Sequence, residues 1–224
     1  MRTDEGTVPT LLSSKNGEWP VRDRTACPFA PRASIVFAPD WDDQGDYNTN
    51  LVLLSGAFDE FIQREEAENL DMLVVEVINS ARVKSLVQFV GLFRTILEGL
   101  AAHQDGQGAN LFAEIESSDW DFRFQDKDFF VSTFAPLYPE SHSRFSHSPS
   151  TAFIVFQPDS SFDRHHIHSA AEAREKITDF VERTFEDHGI SYDCDLTTRH
   201  VKAERYVKRL SPSHAPVKWW ALSR

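Results

Sequence analysis

The chain has 224 residues, 41% of them hydrophobic, and a formal net charge of −12, which suits one domain with its own core and argues against general nucleic-acid binding, since the Lys and Arg residues form no basic stripe. Two cysteines, Cys27 and Cys194, are too few for a disulfide framework and point to reduced thiols. The opening Met1-Arg2-Thr3-Asp4-Glu5 lacks a basic-then-apolar pattern, and the longest apolar stretch, Leu86 to Leu100, carries Arg94 and Glu98; a cytoplasmic protein with no membrane span is expected.

Residues 1–26 read as a mobile polar arm, with Trp19 and Pro20 wrapped on the surface, ahead of a single domain over residues 27–224. Ser34–Ala38 is a short β-branched run and predicts a strand. A polar loop, Asp40–Asn50, leads into Leu51–Leu54, which reads as a second strand or the approach to a helix. Phe58, Phe61 and Ile62 set a helix face within Ala57–Glu68. Met72–Ile78 predicts a buried strand, and apolar residues at 83, 86, 87, 90, 93, 97 and 100 predict an amphipathic helix over Val83–Ala102. A further helix starting near Leu111 is compatible with the pattern. Phe122 and Phe124, then Phe129–Phe134, suggest a hairpin turning at Gln125–Asp128. A loop rich in His, Ser and Tyr, Pro136–Pro149, precedes a strand at Ala152–Phe156. Ala170–Asp187 predicts a helix whose apolar face holds Ala173, Ile177, Phe180, Val181 and Thr184. The tail from Asp195 reads as extended, with Trp219 and Trp220 docking on the body. The whole predicts an α+β or α/β single domain, a mixed β-sheet with packed helices.

Four placements compete for chemistry. The loop Tyr138-Pro139-Glu140-Ser141-His142-Ser143-Arg144, with His147 behind it, carries imidazoles and a cation between two strands. In Arg164-His165-His166-Ile167-His168, His165 and His168 share a helix face and, with Asp159 or Asp163, have the spacing of a non-haem iron or zinc site. Cys27, held extended by Pro28, is a candidate metal-binding or nucleophilic thiolate, although a lone cysteine is more commonly a small buried apolar residue. Asp40-Trp41-Asp42-Asp43 with Asp46 is an acidic loop without EF-hand spacing. The bland counterparts are solvated turns, a water-facing histidine run and a charged surface loop.

Trp120-Asp121-Phe122-Arg123-Phe124 through Phe129-Phe130-Val131, Tyr138-Pro139, Ser143-Arg144, Ser150, Phe156-Gln157 and Phe162-Asp163 together resemble the YqcI/YcgG family, and Cys27-Pro28-Phe29 resembles the Pro-Cys-x-Phe element near that family's start. The resemblance is dense over residues 120–163. It implies a haem-dependent N-hydroxylase that uses O₂ and an electron donor on an amine or guanidine nitrogen of an amino-acid-derived small molecule. It also implies a b-type haem whose iron has an axial histidine. A homodimer is compatible with it, as is a haem-binding module without turnover. The family loop opens His-Pro where this chain has Tyr138-Pro139. Aligned on the proline, Tyr138 is the iron ligand; aligned on Ser143-Arg144, it is His142. His142 is preferred, because neutral imidazole binds iron without shedding a proton from a group whose reference pKa is ~10. Arg144 and Arg164 are the expected partners of a propionate or substrate carboxylate, and Phe124 and Phe130 are expected in the walls of the haem pocket.

Overall fold

Met72–Ile78 is apolar on both sides, as a strand with two covered faces must be, and it is the second strand of a mixed sheet. The computed structural model describes Leu11 and residues 19–105, 111–165, 167 and 171–221. Its strands are β1 (Ile35–Phe37), β2 (Trp41–Asp42), β3 (Met72–Ile78), β4 (Phe122–Phe124), β5 (Lys127–Phe134) and β6 (Ala152–Pro158). They form one six-stranded sheet in the order β1-β3-β6-β5-β4, with β2 also pairing with β3. The β1–β3 and β2–β3 pairs are parallel and the other three antiparallel, as the α+β fold requires of a crossover followed by a meander.

The helices are α1 (Pro20–Arg24), α2 (Tyr47–Glu68), α3 (Leu86–Asp105), α4 (Asp159–Arg164), α5 (Ala171–Asp187) and α6 (Cys194–Thr198). The Leu51–Leu54 segment lies inside α2 rather than in a strand. The Asp46 carboxylate accepts from the Thr49 N–H at 2.7 Å and caps the helix at Tyr47, well before Ala57, where the apolar pattern starts it. At its other end Asn69 takes the left-handed conformation, φ 52°. The hairpin forms as expected, with Gln125 left-handed at the turn. Among the described residues no helix starts at Leu111; residues 111–119 are a chain of turns and bends. The tail is less extended than expected, holding α6 and 3-10 turns at Lys202–Arg205 and Trp219–Ala221.

Alternation along the strands divides the side chains between two faces. On one face Leu73, Val75, Phe122, Phe124, Phe129, Ile154 and Phe156 pack against Phe58 and Phe61 of α2 and Phe89, Phe93 and Leu97 of α3. The C-terminal tail joins this core: Trp219 is fully buried, and the Tyr206 hydroxyl accepts from Phe122 N at 3.1 Å and donates to Phe129 O at 3.0 Å. On the other face Phe37, Val74, Phe153 and Val155 meet Trp19 and Val21. Trp19 and Val21 therefore pack against the sheet, with Trp19 edge-on to Phe37, Phe134 and Phe153, while Ala26 packs against Val181 and Phe185. The rest of the expected arm, residues 1–10 and 12–18, lies outside the described residues. Beyond Trp19 this second face is not filled, and a cavity opens beneath α5.

No helix among the described residues is long and apolar enough to cross a membrane.

Candidate functional site

The cavity has a volume of about 640 Å³, within the range of small-molecule and cofactor sites. Its floor is the second face of the sheet, where Phe130, Ser132 and Phe134 of β5 alternate with the core residues Phe129, Val131 and Thr133. Its other walls are Cys27, Phe29 and Ala30, the inner side of α5 at Ile177, Val181 and Phe185, and Tyr192 and Leu196 next to α6. Most of the lining is apolar.

Two buried cations border it. Arg144 is 8% exposed and Lys208 3%. The Arg144 guanidinium lies 5.1 Å from the centroid of the Phe134 ring and makes a long hydrogen bond, 3.4 Å, to the Arg205 carbonyl. No carboxylate pairs with it among the described residues. The Lys208 ammonium lies 4.2 Å from the Tyr192 ring centroid and has no hydrogen-bond partner among the described residues. Asp193, the carboxylate acting on it, is already held by two Arg209 N–H bonds of 2.7 and 2.8 Å. Burial, reinforced by the Arg144 charge, pulls the Lys208 ammonium down to about 7. A buried cation outside an ion pair is costly, so this end of the cavity is electropositive. Carboxylates border the other end. Asp121, adjoining β4, is held by Lys202, while Asp159 and Asp163 belong to α4. The two ends are separated by the stretch of β5 from Phe130 to Phe134, roughly 13 Å at 3.3 Å per residue.

Each expected site residue has a definite place. His142 does not line this cavity. It is 6% exposed and stacked on the Tyr138 ring, with centroids 4.5 Å apart. Its Nδ1 accepts from the Arg144 backbone N–H at 3.0 Å, so Nε2 carries the proton and donates to the Arg209 carbonyl at 3.1 Å. Neither nitrogen has a lone pair to offer iron. Tyr138 is likewise committed: its hydroxyl donates to the Lys208 carbonyl at 2.8 Å, and burial raises its pKa far above the phenol range. In this structure the loop's polar groups hold its own backbone and the 208–209 segment in place. Only Arg144 of that loop, together with Ser143, reaches the cavity. Phe130 lines the cavity; Phe124 does not, because its position in the pleat turns it into the sealed core, with ring centroids 4.6 Å from Phe58.

Arg164 belongs to a different cluster. It bonds Glu65 and Asp71, both buried, beside Lys127, Ser160 and Ser161. His165 contacts Asp71 at 3.0 Å in the same cluster. These groups tie the end of α2 and the start of β3 to β5 and α4, which is structural work. His166 and His168 lie outside the described residues, and among the described residues no three His, Cys, Asp or Glu side chains converge on a metal position. Lys208 had no signal in the sequence, since it sits in a loose basic segment that reads as surface.

A mixed sheet sealed on one side and open over a cavity on the other makes this a single α+β domain. The chain belongs to the YqcI/YcgG family, whose model matches residues 32–214. No curated protein and no solved structure matches it.

A largely apolar chamber of cofactor size with two buried cations, neither in an ion pair among the described residues, has the size and charge to take a flat ring bearing carboxylates. The imidazole and phenol first expected on its iron both hydrogen-bond the protein's own backbone.

Proposed function

We propose that this chain is a haem-dependent N-oxygenase that hydroxylates an amine or guanidine nitrogen of an amino-acid-derived small molecule with O₂ and an electron donor. The observation that carries the reading is the cavity on the second sheet face, with Arg144 and Lys208 buried at one end without carboxylate partners. Their charges would hold the propionates, and Phe130, Phe134, Val181 and Phe185 would exclude water from the ring. Haem supplies the oxygen chemistry when bound. Asp159 and Asp163 at the opposite end would attract a cationic amine or guanidinium and orient it within the cavity.

Reconstitution with haem, quantified as the pyridine haemochrome, tests binding: the expected result is about one haem per chain, and negligible haem overturns the reading. Incubating the loaded protein with reductant, O₂ and a panel of amino-acid amines and guanidines tests turnover. An N-hydroxylated product supports the oxygenase, and haem bound without product leaves a binding module.

A further inference from the structure

Lys208 and Arg209 are adjacent in the chain but differ in surroundings: Lys208 borders the cavity and Arg209 does not. Arg209 is 5% exposed, and every nitrogen of its guanidinium is engaged. Nε donates to Asp193 Oδ2 at 2.7 Å, Nη2 to Asp193 Oδ1 at 2.8 Å and to Asp195 Oδ2 at 2.9 Å, and Nη1 to the His214 carbonyl at 2.8 Å. Asp193 is as fully committed. Besides Arg209, it accepts from the Leu196 N–H at 3.3 Å and caps α6. The two form a buried, bidentate ion pair held in one geometry. This pair sits beside Lys208. Asp193 follows Tyr192, whose ring centroid is 4.2 Å from the Lys208 ammonium, and Arg209 follows Lys208 itself. The charged and titratable groups acting on Lys208 are Arg144, Asp193, Cys194 and Arg209, of which Asp193 is the carboxylate. Opposite charges bonded to one another largely cancel at a neighbour, and an arginine stays charged at every working pH. Lys208 therefore has a carboxylate close by and gains little from it.

We infer that Arg209 is a positioning residue that sets specificity through Asp193: its guanidinium cancels the carboxylate that would otherwise neutralise Lys208, and so reserves this end of the cavity for an anionic group of the ligand. The inference rests on the haem reading above for the identity of that anion, a propionate, and on the ion pair alone for its electrostatics. A mere structural tie between the two segments predicts a different pattern. A tie is symmetric, so losing either partner has the same effect. Charge cancellation is antisymmetric. Without Arg209, Lys208 faces a net negative neighbour and its ammonium is neutralised from within. Without the Asp193 charge, Lys208 faces a second cation, and the cavity end becomes more electropositive.

The test compares wild type with Arg209→Gln, Asp193→Asn, the double variant and Arg209→Lys. In the ligand-free proteins the isotope-labelled ε carbon of Lys208, assigned through Lys208→Met, is titrated with pH by NMR. Arg209→Gln should raise the Lys208 midpoint by at least about one pH unit, and Asp193→Asn should lower it. The double variant and Arg209→Lys, which keeps the cation, should both lie near wild type. Metal-free protoporphyrin and its dimethyl ester then probe the cavity. Arg209→Gln should lose most of the preference for the free diacid, Asp193→Asn should keep it, and the double variant should regain it. If Arg209→Gln does not fold, the Asp193→Asn midpoint decides: a fall supports the inference, and no change or a rise overturns it. Midpoints that stay put in both single variants, or move the same way in both, overturn the inference and leave the haem reading standing. Opposite midpoint shifts with neither porphyrin bound by wild type overturn the haem reading and support the charge cancellation.

Discussion

The backbone N–H of Arg144 donates to Nδ1 of His142 at 3.0 Å, so the imidazole is the clamp that sets where the Arg144 side chain leaves the loop. With Nε2–H on the Arg209 carbonyl, the same ring joins the loop to the segment that carries Lys208. His142→Ala should strand a buried N–H and a buried C=O and cost about 1–3 kcal/mol of stability, measurable as a shift in urea midpoint. Loss of porphyrin affinity should be secondary, through misplacement of Arg144.

His142 also predicts an acid limb of stability. Burial, with the Lys208 charge, lowers its pKa from 6.5 to about 4. Between those values the unfolded chain binds a proton that the folded chain refuses, so stability rises with pH across the window. The contribution is complete above about pH 6.5 and lost as pH falls toward about 4, a difference of roughly 3 kcal/mol. Urea unfolding of wild type and His142→Ala at several pH values checks this; equal slopes for the two proteins between pH 4 and 6.5 would contradict it.

Lys208 acts on the alkaline side. Its folded pKa of about 7 lies below the ordinary 10.5, so the unfolded chain binds more protons between those values and stability rises with pH there. Lys208→Met removes an uncompensated buried charge and should stabilise the empty protein by about 1–4 kcal/mol at pH 6. It should also flatten the rise between pH 7 and 10.5. Thermal unfolding without ligand measures both effects.

Helix α5 offers a contrast between two phenylalanines. Helical spacing places Phe180 on the apolar face, yet it is 53% exposed, while Phe185, beside the same stripe, is 4% exposed against Tyr192. Phe180→Asp should therefore stay folded and change stability by about 0.5 kcal/mol or less. Phe185→Asp places an unpaired carboxylate in a buried cluster and should unfold the protein or cost more than about 3 kcal/mol. Circular dichroism melts of the two variants distinguish them.

These elements mark what a sequence carries. The strand at Met72–Ile78, the hairpin around Gln125 and the docking of Trp219 follow from alternation, turn chemistry and bulk. The start of α2 escaped because its cap, Asp46, lies in a loop whose other acidic residues hid the signal. Phe180 escaped because a stripe gives the direction of a helix face, not how much of it a neighbour covers. The cavity could not be read at all. It depends on which strand faces α2 and α3 leave uncovered, and on Lys208 and Arg144, far apart in sequence, bordering one cavity. His142 misled for the same reason: a loop histidine looks available until the carbonyl of Arg209, distant in the chain, is seen against it.

The central claim is that the open face of the sheet holds haem through the Arg144 and Lys208 charges. Titrating the protein with haem and with its dimethyl ester, in which both propionates are neutral, tests it most directly. Wild type should bind about one haem per chain and prefer it over the ester by at least about tenfold, or 1.4 kcal/mol. The Arg144→Gln, Lys208→Met double variant should bind the two alike. Equal affinity of wild type for haem and ester, or no binding of either, would contradict the account.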